Sequence, residues 1–79
     1  MGRPQVTKRL DYIKTGENIK NWRTYHGFSQ SDLSKVLYVS KNSIHKWESG
    51  EIAPRVDALV EMVGLFRVRL EDLVAIETR

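Results

Sequence analysis

The sequence predicts one all-α domain of five helices. Three observations support it. Apolar residues recur at helical spacing from about residue 16 onward, with no strand-like alternation to compete. Thr15, Ser29 and Ser40, residue types that cap helix starts, each stand directly ahead of such a stretch. Gly27 and Gly50 stand directly behind two of them, where a left-handed terminus favours glycine. No sheet and no internal repeat is expected.

The elements follow in order. Residues 1–15 include Gly2 and Pro4 and show no periodicity, so they read as a flexible basic arm whose end docks through Tyr12 and Ile13. The domain proper is expected over 16–79. Thr15 caps a helix from about Gly16 to His26, with Ile19, Trp22, Arg23 and His26 facing inward. Phe28 is a hydrophobic staple ahead of Ser29, which opens the second helix with Asp32 at its third position, a capping-box arrangement. Leu33, Val36 and Leu37 face inward there. Ser40 caps a third helix that runs to about Ser49. Pro54 occupies a first-turn position of the fourth helix, whose inward stripe is Val56, Leu59, Val60, Val63 and Phe66. A weaker second stripe, Ala58, Met62 and Leu65, joins Val68 and Leu70 as a candidate homodimer contact, or as a patch covered by the arm within one monomer. A short fifth helix from about Leu70 supplies Leu73 and Val74, with Arg69 as a poor cap that predicts fraying.

Composition narrows the class. Seventy-nine residues are few for a self-sufficient core, and no cysteine is present to add a disulfide or a thiolate metal site. No apolar run approaches the roughly 20 residues of a membrane span, and no signal-peptide core is evident, so a cytoplasmic protein is expected. The net charge of +3 is unevenly placed. Residues 1–14 hold four basic groups against one acidic, residues 15–50 five against three, and residues 51–79 four against six. A polyanion is drawn to the N-terminal half.

The second and third helices are too closely joined to lie flat against each other. They cross steeply, as in a helix-turn-helix that sets its second helix into the DNA major groove. Winding the third helix at about 3.6 residues per turn puts Ile44, Trp47 and Glu48 on one side. Asn42, Lys46 and Ser49 fall opposite, with His45 beside them and Lys41 in the first turn. Lysine donates to guanine O6 and N7, and asparagine pairs with adenine N6 and N7. A merely solvated polar face has the same pattern. The donor-rich starts of helices two and three let Gln30 and Ser40 anchor phosphates while Lys41, Asn42 and Lys46 read bases. Arg9, Lys35 and Ser49 are further candidate phosphate contacts, and Arg3, Lys8 and Arg9 suit a minor groove or backbone path unless they are an ordinary terminus.

Other chemistries find no support. Trp22 and Trp47 share helical spacing with Ile19 and Ile44, which favours core packing over base stacking. His26 and His45 are isolated, and no nucleophile–base arrangement is present, so neither a metal, nor a cofactor, nor catalysis is expected.

The run from Ile19 to Leu73 resembles the Cro/C1-type helix-turn-helix family of phage and bacterial repressors, also called the XRE family. The matching residues are G-F-S-Q-S-D-L at Gly27–Leu33, V-S-K-N-S-I-H-K-W-E-S-G at Val39–Gly50, Pro54, and L-E-D-L at Leu70–Leu73. The resemblance implies a lambda-repressor-like five-helix domain that binds double-stranded operator DNA, usually as a two-fold dimer, and regulates transcription, most often by repression. An interaction module on the same fold, antitoxin-like or adaptor, is the alternative. By the resemblance, Gln30 is a phosphate- and sometimes base-contacting residue. Lys41, Asn42 and Lys46 are base readers, and Ser40 and Ser43 are backbone contacts. Arg23 and Glu48 match a structural ion pair, which their places on apolar stripes also favour, since a buried charge is costly unless paired. Tyr38 and Arg67 stand where glycine is usual, so their turns are either left-handed at a cost or differently shaped. Glu51 stands where a basic residue is common, which weakens the case for a phosphate contact there.

Overall fold

The computed structural model describes residue 2 and residues 4–78, so the part of the arm reading that rests on Arg3 lies outside the described residues. The element order is β1 (Lys8–Leu10), α1 (Tyr12–Tyr25), α2 (Gln30–Leu37), α3 (Lys41–Ser49), α4 (Val56–Phe66), α5 (Leu70–Leu73) and β2 (Ile76–Thr78). All five helices are present. The expected absence of a sheet is corrected: β1 and β2 pair antiparallel, with Lys8 opposite Thr78, Arg9 opposite Glu77 and Leu10 opposite Ile76. Three residues per strand are too few for an alternation to show, and the partners lie at opposite ends of the chain.

The start of α1 is corrected as well. Asp11, not Thr15, is the cap: its carboxylate accepts the Lys14 N–H at 2.9 Å. Thr15 is fully buried inside the helix, where its Oγ1 accepts the Ala75 N–H at 3.0 Å. Asp11 in turn donates its N–H to the Ala75 carbonyl at 2.8 Å. Residues 8–15, expected as arm, are thus built into the domain and tied to its C-terminal segment.

The α1 and α3 helices cross closely. A Cβ on Gly16 would overlap the carbonyl oxygens of Trp47 and Glu48, so the approach requires glycine. Around this crossing the core gathers Ile19, Leu33, Leu37, Ile44, Trp47, Met62, Phe66 and Leu73. Ser29 caps α2 in a full capping box, each residue of the Ser29–Asp32 pair accepting the other's N–H at 2.9 Å. Ser40 caps α3, accepting the Ser43 N–H at 3.0 Å. Tyr38 and Arg67 are left-handed, with φ of 55° and 56°, so both turns keep the geometry that glycine usually serves.

Several expectations about α2, α4 and α5 shift. On α4 the inward face is Ala58, Leu59, Met62 and Phe66, whereas Val56 and Val60 are exposed. The helix is apolar on both sides, and the larger Met62 takes the core. Met62 and Ala58 are therefore buried and cannot serve a dimer surface; Leu65 and Val68 are half-buried against the core and Leu70 remains exposed. On α2, Val36 is exposed and Ser34 is buried in its place, its hydroxyl donating to the Ser31 carbonyl at 2.7 Å. Pro54 lies just before Arg55, the N-cap of α4, and is not within its first turn. The α5 helix is held and not frayed: Asp72 accepts the Arg69 N–H at 2.8 Å, and Leu73 is fully buried.

Candidate nucleic-acid interface

The inner side of α3 determines what its outer side can present. Ile44 and Trp47 enter the core, and Glu48 lies buried beside them. An isolated carboxylate there would be costly. It is met by Arg23 from α1, which donates Nε to Oε2 and Nη2 to Oε1, the latter at 2.9 Å. Such fork-to-fork pairing orients both groups. The Glu48 carboxylate holds the Arg23 guanidinium above its ordinary pKa, against the opposing effect of burial. Arg23 also donates Nη1 to the Phe28 carbonyl at 2.8 Å, and Gln30 donates Nε2 to Glu48 Oε1 at 3.1 Å. One buried pair therefore joins α1, the turn before α2, the first residue of α2, and α3. Arg23 and Glu48, expected as an ion pair, are brought together and buried here.

On the opposite side, Lys41, Asn42, His45 and Ser49 are exposed, while Ser43 and Lys46 are half-buried. Gln30, Lys41, Asn42 and His45 line one open hollow where α2 and α3 begin. Ser40 and Ser43 border a second depression with Tyr38, Ile52 and Arg55. Their hydroxyls lie 2.9 Å apart and the Ser40 hydroxyl already caps the helix, so their capacity for a phosphate is partly used. Ser49 is similarly engaged, donating to the Lys46 carbonyl at 3.1 Å. Lys35 is exposed in the last turn of α2, away from the Gln30 end. Arg9 stands on β1 and lines a hollow with Ile13 and Gly50, which places it beside the C-terminal end of α3.

Two features were not anticipated. Arg55, exposed and only loosely paired with Asp57 at 3.8 Å, supplies a cation beside the start of α3. It follows Pro54 in a loop whose course the sequence leaves open. The second is the Gln30–Glu48 bond, which links positions 18 residues apart that helical spacing cannot relate.

Two crossed helices, the second with an apolar inner side and an outer side of hydrogen-bonding groups, define a helix-turn-helix domain of the kind found in transcription regulators. The family model described as helix-turn-helix matches residues 19–73, and the chain belongs to that family, of Cro/C1 type. It is 34% identical over 71 residues to the HTH-type transcriptional activator BcrR of Enterococcus faecalis, across 90% of this chain and 30% of the activator. It is 33% identical over 55 residues to the uncharacterized HTH-type transcriptional regulator MJ0272 of Methanocaldococcus jannaschii, covering 70% of this chain and 83% of that protein. The chain thus spans less than a third of the activator and most of the archaeal relative. The phage P22 c2 repressor, solved in complex with a synthetic operator, superposes with a TM-score of 0.69 at 27% identity, over 75% of this chain and 89% of the repressor.

Proposed function

We propose that this chain binds double-stranded DNA sequence-specifically as the recognition domain of a transcription regulator, with α3 in the major groove. The observation that carries this is the buried Arg23–Glu48 pair, which holds α3 with Lys41, Asn42 and His45 exposed together. In this reading Asn42, Lys41 and Lys46 address base edges. Ser40, Ser43, Lys35, Arg9 and Arg55 follow the phosphates. The P22 neighbour is a repressor and the Enterococcus relative an activator, so both directions of regulation occur among the proteins this chain resembles. A second copy joins across a two-fold axis through Leu65, Val68 and Leu70, Leu70 being the exposed member. No catalytic step belongs to this function.

Selection of duplexes from a random pool tests the proposal. A recurrent site with two related halves is expected. Asn42→Ala then relaxes preference at one base pair by about 1–3 kcal/mol. Lys35→Ala weakens all duplexes alike and lowers the salt slope by about 0.9. Retention of no duplex at low salt overturns the proposal.

A further inference from the structure

We propose that the outer edge of β2 pairs antiparallel with the same edge of a second copy, the two-fold axis passing beside Ile76. This rests on the two-fold contact proposed above and extends it along the chain, from Leu70 through Val74 to Ile76. Backbone polar groups in a strand point alternately to its two sides. Ala75 turns both of its groups inward, accepting the Asp11 N–H at 2.8 Å and donating its own to Thr15 Oγ1 at 3.0 Å. Glu77, opposite Arg9, turns the same way. The N–H and C=O of Ile76 and of Thr78 therefore point outward, and among the described residues nothing pairs with them. Such an edge is a template for another strand. The charges select a second copy as that strand. Centred on Ile76, the pairing sets Ile76 opposite its counterpart, Thr78 opposite Val74 and Glu77 opposite Ala75, so no like charges meet. Ile76 then exchanges both backbone bonds with its counterpart, and the Thr78 N–H reaches the Val74 carbonyl. The outer edge of β1 does not pair with itself in this way. There a two-fold pairing sets Lys8 or Arg9 against its own counterpart, or, centred on Leu10, runs the strand into α1 of the other copy. Side chains support the same edge: the exposed Ile76 lines an apolar hollow with Leu10 and Val74, and the Ile76 of the second copy meets its rim.

The chain has no cysteine, so two single-cysteine variants, Ala75→Cys and Glu77→Cys, test the register. Across the proposed seam these positions form a non-hydrogen-bonded pair, with Cα atoms about 4.5 Å apart and within reach of a disulfide. In a glutathione redox buffer, a mixture of the two variants is expected to cross-link several-fold faster than either variant alone. Sedimentation of Ile76→Pro supplies the second measurement. Proline there removes only an outward N–H and leaves the bonds to β1, a change that an edge strand tolerates. The variant should keep the circular dichroism spectrum of the wild type and raise the dimer dissociation constant roughly 10-fold or more. Cross-linking no faster in the mixture than in either variant alone overturns the proposal. A folded Ile76→Pro that dimerises like the wild type overturns it too, and leaves the two-fold contact to Leu65, Val68 and Leu70. Should Ile76→Pro not fold, the cysteine mixture decides alone. A wild type that grows into open-ended oligomers overturns the proposal in favour of β2 pairing with β1 of the next copy. A wild type that stays monomeric at every concentration defeats the two-fold reading itself and leaves the edge to a strand of another protein, a result distinct from these.

Discussion

At Tyr38 the chain accepts a left-handed backbone, φ 55°, with a side chain 95% exposed. The strain is about 1–2 kcal/mol for a non-glycine residue, and the exposed ring returns almost no packing to offset it. Tyr38→Gly is therefore expected to stabilise the domain by about 0.5–1 kcal/mol, less whatever glycine adds to the entropy of the unfolded chain. Urea unfolding measures this; a lower midpoint would show that the ring makes a contribution the geometry does not reveal. The Arg23–Glu48 pair behaves in the opposite way. Removing one partner strands a buried charge, so Arg23→Met or Glu48→Leu alone should cost about 3–5 kcal/mol. The double substitution strands none and should recover much of that loss. A double-mutant cycle by chemical denaturation tests this, and strictly additive single effects would refute the coupling. Both features were visible in the sequence because each is local in its logic: a non-glycine residue in a tight turn, and a charge on an apolar stripe. The Gln30–Glu48 bond was not, since it depends on how α2 meets α3 in space.

The helices differ in how much of each could be read from its own residues. The starts of α2 and α3 were legible because a capping serine acts on the next three residues, whatever the tertiary setting. That makes the α2 cap a good place for a pH test. The backbone N–H of Ser29, and then its hydroxyl, hold the Asp32 carboxylate below its ordinary value of 3.8. A depressed folded value means the contribution is full above the ordinary value and is lost as pH falls through the lowered one. The difference in Tm between wild type and Asp32→Asn should therefore stay level from about pH 6 to about pH 5 and shrink on acidification toward about pH 2. A difference that does not vary with pH would exclude the linkage. On α4 the orientation was not legible, because apolar residues lie on both faces and only the neighbouring helices choose between Met62 and Val60. The α1–α3 crossing was hidden too, since glycine inside a helix gives no clue to what approaches it. Gly16→Ala gains about 1 kcal/mol in helix propensity. Its Cβ meets backbone carbonyls that cannot swing aside, so a net loss of about 1–3 kcal/mol is expected in urea unfolding.

For the whole molecule, the feature the sequence concealed most fully is that its two ends meet. The β1–β2 ribbon brings the basic N-terminal segment against the acidic C-terminal one, Arg9 opposite Glu77, and sets it beside the end of α3. Only long-range pairing creates that juxtaposition, so no local pattern announces it. It also alters what the charge asymmetry means. The excess of basic groups in residues 1–14 is not spread along a free arm, because Lys8 and Arg9 are fixed on the domain. In the proposed function a cation fixed in this way would add a phosphate contact in one register, and a two-fold dimer would repeat it at the opposite end of the site. The proposed dimer surface would accordingly be the variable that separates one-site from two-site binding. Leu70 is the member of the proposed contact that can be changed without opening the core, being half exposed at 51%. Leu70→Glu should keep the circular dichroism spectrum of the wild type and a Tm close to it. It should bind an isolated half-site normally and lose much of the affinity for the two-half-site duplex, with sedimentation shifting toward the monomer. Were Leu70→Glu to bind the full duplex as tightly as the wild type, the two-fold contact would have to be placed elsewhere, and the exposed Val56 and Val60 of α4 would be the next residues to change.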